Sequence, residues 1–172
     1  MKINRIVWGL CLCFSGSFVL AQGHKVGVIE ADLVIQNTAK GKAFFKEMED
    51  LQSKRAAELQ GLLDALKAKR DDLESKAASM SPEKRETSGL ELQRMQKDLK
   101  RREEDAKAEV NQRLKTGLDD FQNKIIPIVS EVAQELGVDI VLNFGPGSEI
   151  VYVSENIKIT QAVIRKFDAK YP

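Results

Sequence analysis

The sequence predicts an α+β chain in which a long antiparallel helical hairpin is inserted between the first strand of a small β-sheet and the strands that complete it. Three observations carry this. Segments rich in β-branched residues occur only near the two ends, and the stretch 39–126 between them is built almost wholly of Ala, Glu, Lys, Leu, Arg, Gln and Asp. That is the composition of long helices or coiled coil. At its midpoint "ASMSPEKRE", residues 77–85, places a proline.

Residues 1–21 have the layout of a secretory signal. Lys2 and Arg5 precede an apolar run, and the small residues Val19 and Ala21 suit cleavage before Gln22. A membrane anchor fits less well, because Gly9, Ser15, Gly16 and Ser17 interrupt a run already short of the ~20 apolar residues that a span needs. Cys11, Cys13 and Trp8 all lie in this leader, so the exported chain has no cysteine with which to form a disulfide. With Lys2 and Arg5 removed, 25 Lys and Arg face 26 Asp and Glu. That balance offers no electrostatic case for a nucleic-acid partner.

After the leader, "KVGVIEADLVIQN" alternates in period two and predicts a strand over 25–30, followed by a helix that Asp32 is expected to cap. A helix from about Ala39 opens the hairpin. Phe45, Met48, Gln52, Arg55, Leu59, Leu62, Leu66, Lys69, Leu73, Lys76 and Met80 step by threes and fours, the spacing of a coiled-coil seam. The seam resumes at Leu92, Met95, Leu99, Arg102 and Ala106, and runs on through Val110, Leu114, Leu118, Phe121, Ile125, Ile128 and Val132. Between the two arms, Ser81 is suited to an N-cap and Pro82 to a first helical position, where its missing N–H is unpaired in any case. The tip therefore lies near 79–83. Beyond Pro127, "IVSEVAQEL" predicts a helix ended by Gly137, then "VDIVLNF" and "EIVYVS" predict two strands joined through "GPGS", and a last helix covers about 160–169.

These elements divide the exported chain into a body, 22–38 with 127–172, and a tentacle, 39–126. The body has too few apolar residues to cover both faces of a Val/Ile-rich sheet, which predicts a homo-oligomer. Val26, Val28, Val141, Val151 and Val153 are the expected contacts between copies. In the tentacle, Gly61 and Gly117 read either as bending points or as neutral positions on solvated faces. Pro127 predicts a kink where the second arm enters the body.

The stretches "KVGVIEADLVIQNTAKGKAFFKEME" and "IIPIVSEVAQELGVDIVLNFGPGSEIVYVSENIKITQAVIRKFD" resemble the Skp (OmpH-like) periplasmic chaperones. The resemblance implies a jellyfish-shaped homotrimer in the periplasm, whose tentacles enclose unfolded outer-membrane β-barrel proteins without ATP and prevent their aggregation. It implies no cofactor and no catalysis. One departure is charge. The better-known members have strongly basic arms, whereas here 20 Lys and Arg between residues 40 and 124 face 18 Asp and Glu. Only weak contact with acidic membrane lipid follows.

A holdase also suits the residues taken alone, since clients that are apolar on alternate residues need scattered apolar contacts and no shaped pocket. Leu51, Leu63 and Leu90, off the seam, and the mobile Met80 and Met95 are the expected client contacts; each could equally pack helix against helix. An enzyme is disfavoured. The single histidine, His24, lies next to the expected cleavage point at a fraying end, a poor place from which to assemble a His-based triad or a His/Cys metal site, and "GPG" falls far short of a phosphate loop. The rival in another class is an exported coiled-coil spacer or adaptor that binds one partner through the hairpin tip.

Overall fold

The computed structural model describes residues 23–172; the expected signal peptide lies outside them. Strand β1 (Val26–Ile29) leads into helix α1 (Ala31–Asn37). Helix α2 (Ala39–Lys76) rises to a single 3-10 turn at Ala77–Ser79, and helix α3 (Pro82–Leu136) returns. Strand β2 (Ile140–Asn143), a 3-10 turn at Glu155–Ile157 and helix α4 (Thr160–Lys170) complete the chain. At 1.5 Å per residue the 38 residues of α2 extend about 57 Å and the 55 of α3 about 82 Å.

Each helix end has an identifiable cause. The Thr38 side chain accepts from the Gly41 N–H at the start of α2, and Ser81 accepts from the Lys84 N–H at 3.3 Å at the start of α3, with Pro82 first in the helix. Gly137, at φ 63 and ψ 41, ends α3. Val138 N–H donates to Ala133 O and Gly137 N–H to Gln134 O, the paired bonds of a Schellman cap. Asp32 is not the cap of α1. Glu30 holds that position without a side-chain bond, and the nearby N–H groups of Glu30 and Ala31 donate instead to Thr160 Oγ1 and Asn143 Oδ1.

The sheet differs from expectation. It has two strands, and β1 and β2 pair in parallel with Val26 opposite Ile140 and Ile29 opposite Asn143, the whole hairpin serving as the crossover. On its other side β1 makes a single bridge, Val28 with Lys158. "EIVYVS" forms no strand: both sides of β1 are occupied, the segment does not pair with the free edge of β2, and Val151 and Tyr152 stand 96% and 82% exposed. The "GPGS" stretch accordingly joins no β-hairpin. Ser148 N–H donates to Gly145 O with Gly147 at φ 84, a turn of the Pro-Gly type II pattern.

The body also supplies more of its own core than expected. Ile29, Val34, Phe121, Ile125, Ile128, Val132, Ile159, Val163, Ile164 and Phe167 form one buried cluster. The Phe121 and Phe167 rings stack at 5.9 Å, and Phe44 and Tyr171 extend the row at 5.8 and 5.0 Å. Most of this core is α3 against α4, with the sheet laid on it through Ile29 and Val141. Helix α3 runs unbroken through Pro127, so the lower end of the second arm and the first helix of the body are one element.

Candidate functional site: the two faces of the hairpin

The arms meet along the expected seam, more tightly toward the body. Met48 and Leu66 are buried, Leu59, Leu62, Leu73, Leu92, Met95, Leu99, Ala106, Val110, Leu114 and Leu118 half-buried, and Phe121, Ile125, Ile128 and Val132 buried where α3 enters the body. Phe45 departs from the expectation. It is 38% exposed, and Phe44 turns inward in its place, tilted against Phe121. The reason is Gly117. A Cβ there would overlap the Phe44 ring, so this glycine lets an aromatic side chain seat directly on the α3 backbone. Gly61, the other expected bending point, has open space around it.

The charged seam positions find partners across the hairpin. Arg55 Nε and Nη2 donate to both oxygens of Glu109 at 2.6 and 2.9 Å, and Arg55 Nη1 donates to Glu58 at 2.7 Å. A bidentate guanidinium–carboxylate pair fixes orientation as well as register. Lys69 pairs with Glu91 at 2.6 Å, and Arg113 with Glu47. The Glu109 carboxyl is held below its usual range, first by the hydrogen bond from Arg55, and the Arg55 guanidinium is correspondingly raised. Sequence reasoning marked Arg55 and Lys69 as polar seam positions but missed these partners. The signal was present: two positions whose numbers sum to about 160, as in 47 with 113 or 69 with 91, sit at equal height on an antiparallel hairpin with this tip.

Glu47, Glu109 and Arg113 border one side of the seam, and Arg55 reaches Glu109 from the seam itself. The cleft on that side is lined by Glu47, Asp50, Leu51, Lys54, Glu109, Gln112 and Arg113. The opposite cleft, about 500 Å³, is lined by Gln52, Arg55, Ala56, Leu59, Glu103, Ala106, Lys107, Val110 and Asn111. The hairpin thus has an ionic face and, opposite, an open face that no ion pair among the described residues crosses; seam side chains such as Leu59 and Ala106 reach the clefts of both.

The expected client contacts are divided by this arrangement. Leu51 is half-buried on the ionic face. Leu63, 48% exposed, is seven residues beyond Ala56 and so falls on the open side of α2. Leu90 is 50% exposed, whereas Met80 at the tip and Met95 on the seam are half-buried. In the body, Val28 is 2% exposed and belongs to the interior of its own chain, which leaves Val26 at 37% as the accessible valine of β1. Val141 packs on the core, Val153 is half-buried, and Val151 stands free. Ile140 and Leu142, 52% and 43% exposed, were not singled out from the sequence; they share the sheet face of Val26.

Among the described residues, no group of three or more His, Cys, Asp or Glu side chains converges as a metal site, and no helix is long and apolar enough to cross a membrane. His24 lies 3.6 Å from Asp139 on the surface.

A solved structure of a proposed outer membrane chaperone (OmpH-like) from Caulobacter crescentus CB15 superposes with a TM-score of 0.78 at 19% identity, over 86% of this chain and 85% of that one. At that identity the likeness speaks to the fold, a helical hairpin above a small body. No curated protein matches. The sequence itself matches the family described as "Outer membrane protein (OmpH-like)" over residues 25–167, nearly the whole described chain. With fold and sequence in agreement, the chain belongs to the OmpH-like outer membrane protein family.

Proposed function

We propose that this protein is an ATP-independent periplasmic chaperone that holds unfolded outer-membrane β-barrel proteins between helical arms and prevents their aggregation. The observation that carries the reading is the contrast within one chain between a packed body and a long, thinly packed hairpin with apolar side chains left in solvent, Leu63 and Leu90 among them. A surface of that kind binds many extended apolar segments weakly in preference to one folded partner. Family membership supports the chaperone class, and the likeness to the Caulobacter protein is consistent with it. Leu63, Leu90, Met80, Met95 and, on the other face, Leu51 are the proposed client contacts. Gly61 and Pro127 are the proposed points of arm movement, Gly117 being the seat of the Phe44 ring.

Assembly as a homotrimer through the body is part of the proposal. Val26, Ile140 and Leu142 leave the rim of one sheet face apolar and exposed around a buried Val28, β2 has an unpaired edge, and the extended stretch with Val151 and Tyr152 is unpaired within its own chain. An open edge and an unpaired strand in the same chain complement each other between copies. With the signal peptide removed near Ala21, such an assembly would reside in the periplasm.

The test is dilution of two unrelated outer-membrane barrels from urea into buffer with the purified exported chain, reading light scattering. Both should stay dispersed, with no added nucleotide. Protection of neither, together with capture of one folded partner by the 77–83 tip, would favour the spacer reading instead.

A further inference from the structure

The geometry points to the open face of the hairpin, and not its ionic face, as the surface that takes the client, which it holds as an extended polypeptide with apolar side chains down and backbone amides at the rim. The inference rests on the chaperone reading and assigns that reading a location, which removes Leu51, on the ionic face, from its client contacts. The two faces of this hairpin are chemically unlike. On the ionic face, Arg113 with Glu47, Arg55 with Glu109 and Lys69 with Glu91 already join the arms, so a ligand there would have to break ion pairs to reach the seam. No cross-arm ion pair bridges the other face among the described residues. Its cleft of about 500 Å³ lies within the size range of ligand sites, as does the one of about 550 Å³ on the ionic face, so the ion pairs and not the volume set the two faces apart.

The floor of that cleft is Ala56 and Leu59 from α2 with Ala106 and Val110 from α3. Alanines on both arms keep it open, and the leucine and valine make it apolar. Its rim holds an exposed amide from each arm, Gln52 and Asn111. An amide side chain carries both a donor and an acceptor, which matches the alternating N–H and C=O groups of a peptide backbone. The charges at the rim cancel. Glu103 and Lys107 stand four residues apart on α3, and the Arg55 guanidinium is committed to Glu109 and Glu58. A neutral groove with amide edges fits an uncharged stretch of polypeptide, not a lipid headgroup or a nucleic acid, each of which needs net positive charge. A second copy joined through the body is also a poor occupant. Its exposed strand segment lies at the root of the arm, about 25 Å below Ala56 at 1.5 Å per residue.

Two exposed apolar residues extend the same side of α2. Phe45 lies eleven residues below Ala56 and Leu63 seven above, both multiples of whole turns within a few tens of degrees. The open face is therefore a stripe, apolar at both ends with the cleft between, along which an extended chain with alternate apolar side chains can lie.

The test compares Ala56→Arg, which places a long cation in the floor at an exposed helical position, with Asp50→Arg, six residues away on the ionic face. Arginine is a good helix former, so both variants should keep the hairpin, which circular dichroism checks. Protection of an unfolded outer-membrane barrel diluted from urea should weaken about tenfold for Ala56→Arg, since apolar groups of the client would meet a charge, and change less than twofold for Asp50→Arg. A photo-crosslinker at position 56 should capture the unfolded barrel polypeptide, and one at position 54 should not. Equal protection by the two variants while the wild-type chain protects would overturn the face assignment alone. Loss with Asp50→Arg, or crosslinks from position 56 to a second copy or to vesicle lipid, would do the same. Failure of the wild-type chain to protect any barrel would remove the chaperone reading itself.

Discussion

The body and the arms use the same kind of helix for opposite ends. Near Phe121, α3 is pressed between α4 and the sheet, with Ile128 and Phe167 fully buried and aromatic rings in a row. Sixty residues earlier in the chain, near Gly61, α2 has one neighbour, seam residues only half-buried, and a glycine with nothing around it. Stability per residue is therefore concentrated at one end. The lesson is that a small body can carry a long appendage if the appendage is continuous with the core, so that one helix serves both and no joint of low contact separates them.

The largest effect should come from the packed end. Phe167→Ala should lower the unfolding free energy by about 3–5 kcal/mol, the range for emptying a buried aromatic site. Leu62→Ala on the half-buried seam should cost less than about 2 kcal/mol by the lost transfer term alone. Denaturant midpoints decide this, and equal costs would mean that the arms are as tightly packed as the body.

The two glycines sharpen the comparison, because the structure gives their alanine variants opposite signs. At Gly117 the new methyl must displace the Phe44 ring, with an expected cost of about 1–3 kcal/mol. At Gly61 the methyl meets nothing, and better helix propensity should stabilise by up to about 1 kcal/mol. Thermal melts of the single variants separate the two; stabilisation by both would argue that Gly117 is a bending point and not a seat for Phe44.

Amide exchange tests the same contrast without mutation. Amides of α3 between 121 and 132 should exchange orders of magnitude more slowly than those of α2 between 56 and 70, since local opening tracks buried contact. Uniform protection from body to tip would favour the rigid spacer.

The smallest effect is electrostatic. The carboxyl of Glu109 is held down by the Arg55 hydrogen bonds, and that of Glu131 by Lys170 and then Lys166. A depressed folded-state value means that each pair contributes stability above the ordinary glutamate value of about 4.3 and loses it as pH falls through the folded value. Melting temperature should therefore fall modestly on acidification below about pH 4.3, and Glu109→Gln should flatten the part that arises in the arms. Glu109 is exposed and Glu131 only half-buried, so the change is small beside that of Phe167→Ala.

Periodicity was enough to place the arms. The seam from Met48 to Val132 was readable because 3.6-residue repetition over many turns is a strong local signal, and Ser81, Pro82 and Gly137 marked the ends through chemistry that acts within a few residues. The short β-branched stretch "VDIVLNF" was likewise readable as a strand, though not its parallel pairing with β1.

What tertiary structure decided were the matters that depend on residues distant in the chain. Asp32 looked like a cap, but Asn143 and Thr160, more than a hundred positions away, satisfy the start of α1. Phe45 had the seam spacing, but Gly117 made room for Phe44. "EIVYVS" has strand composition, yet a strand exists only where another edge pairs with it, and within this chain the segment does not reach the free edge of β2. Spacing along one element follows from backbone geometry and is written locally. Partnership across elements depends on which surfaces the folded chain brings together, and for these residues that was settled only by the fold.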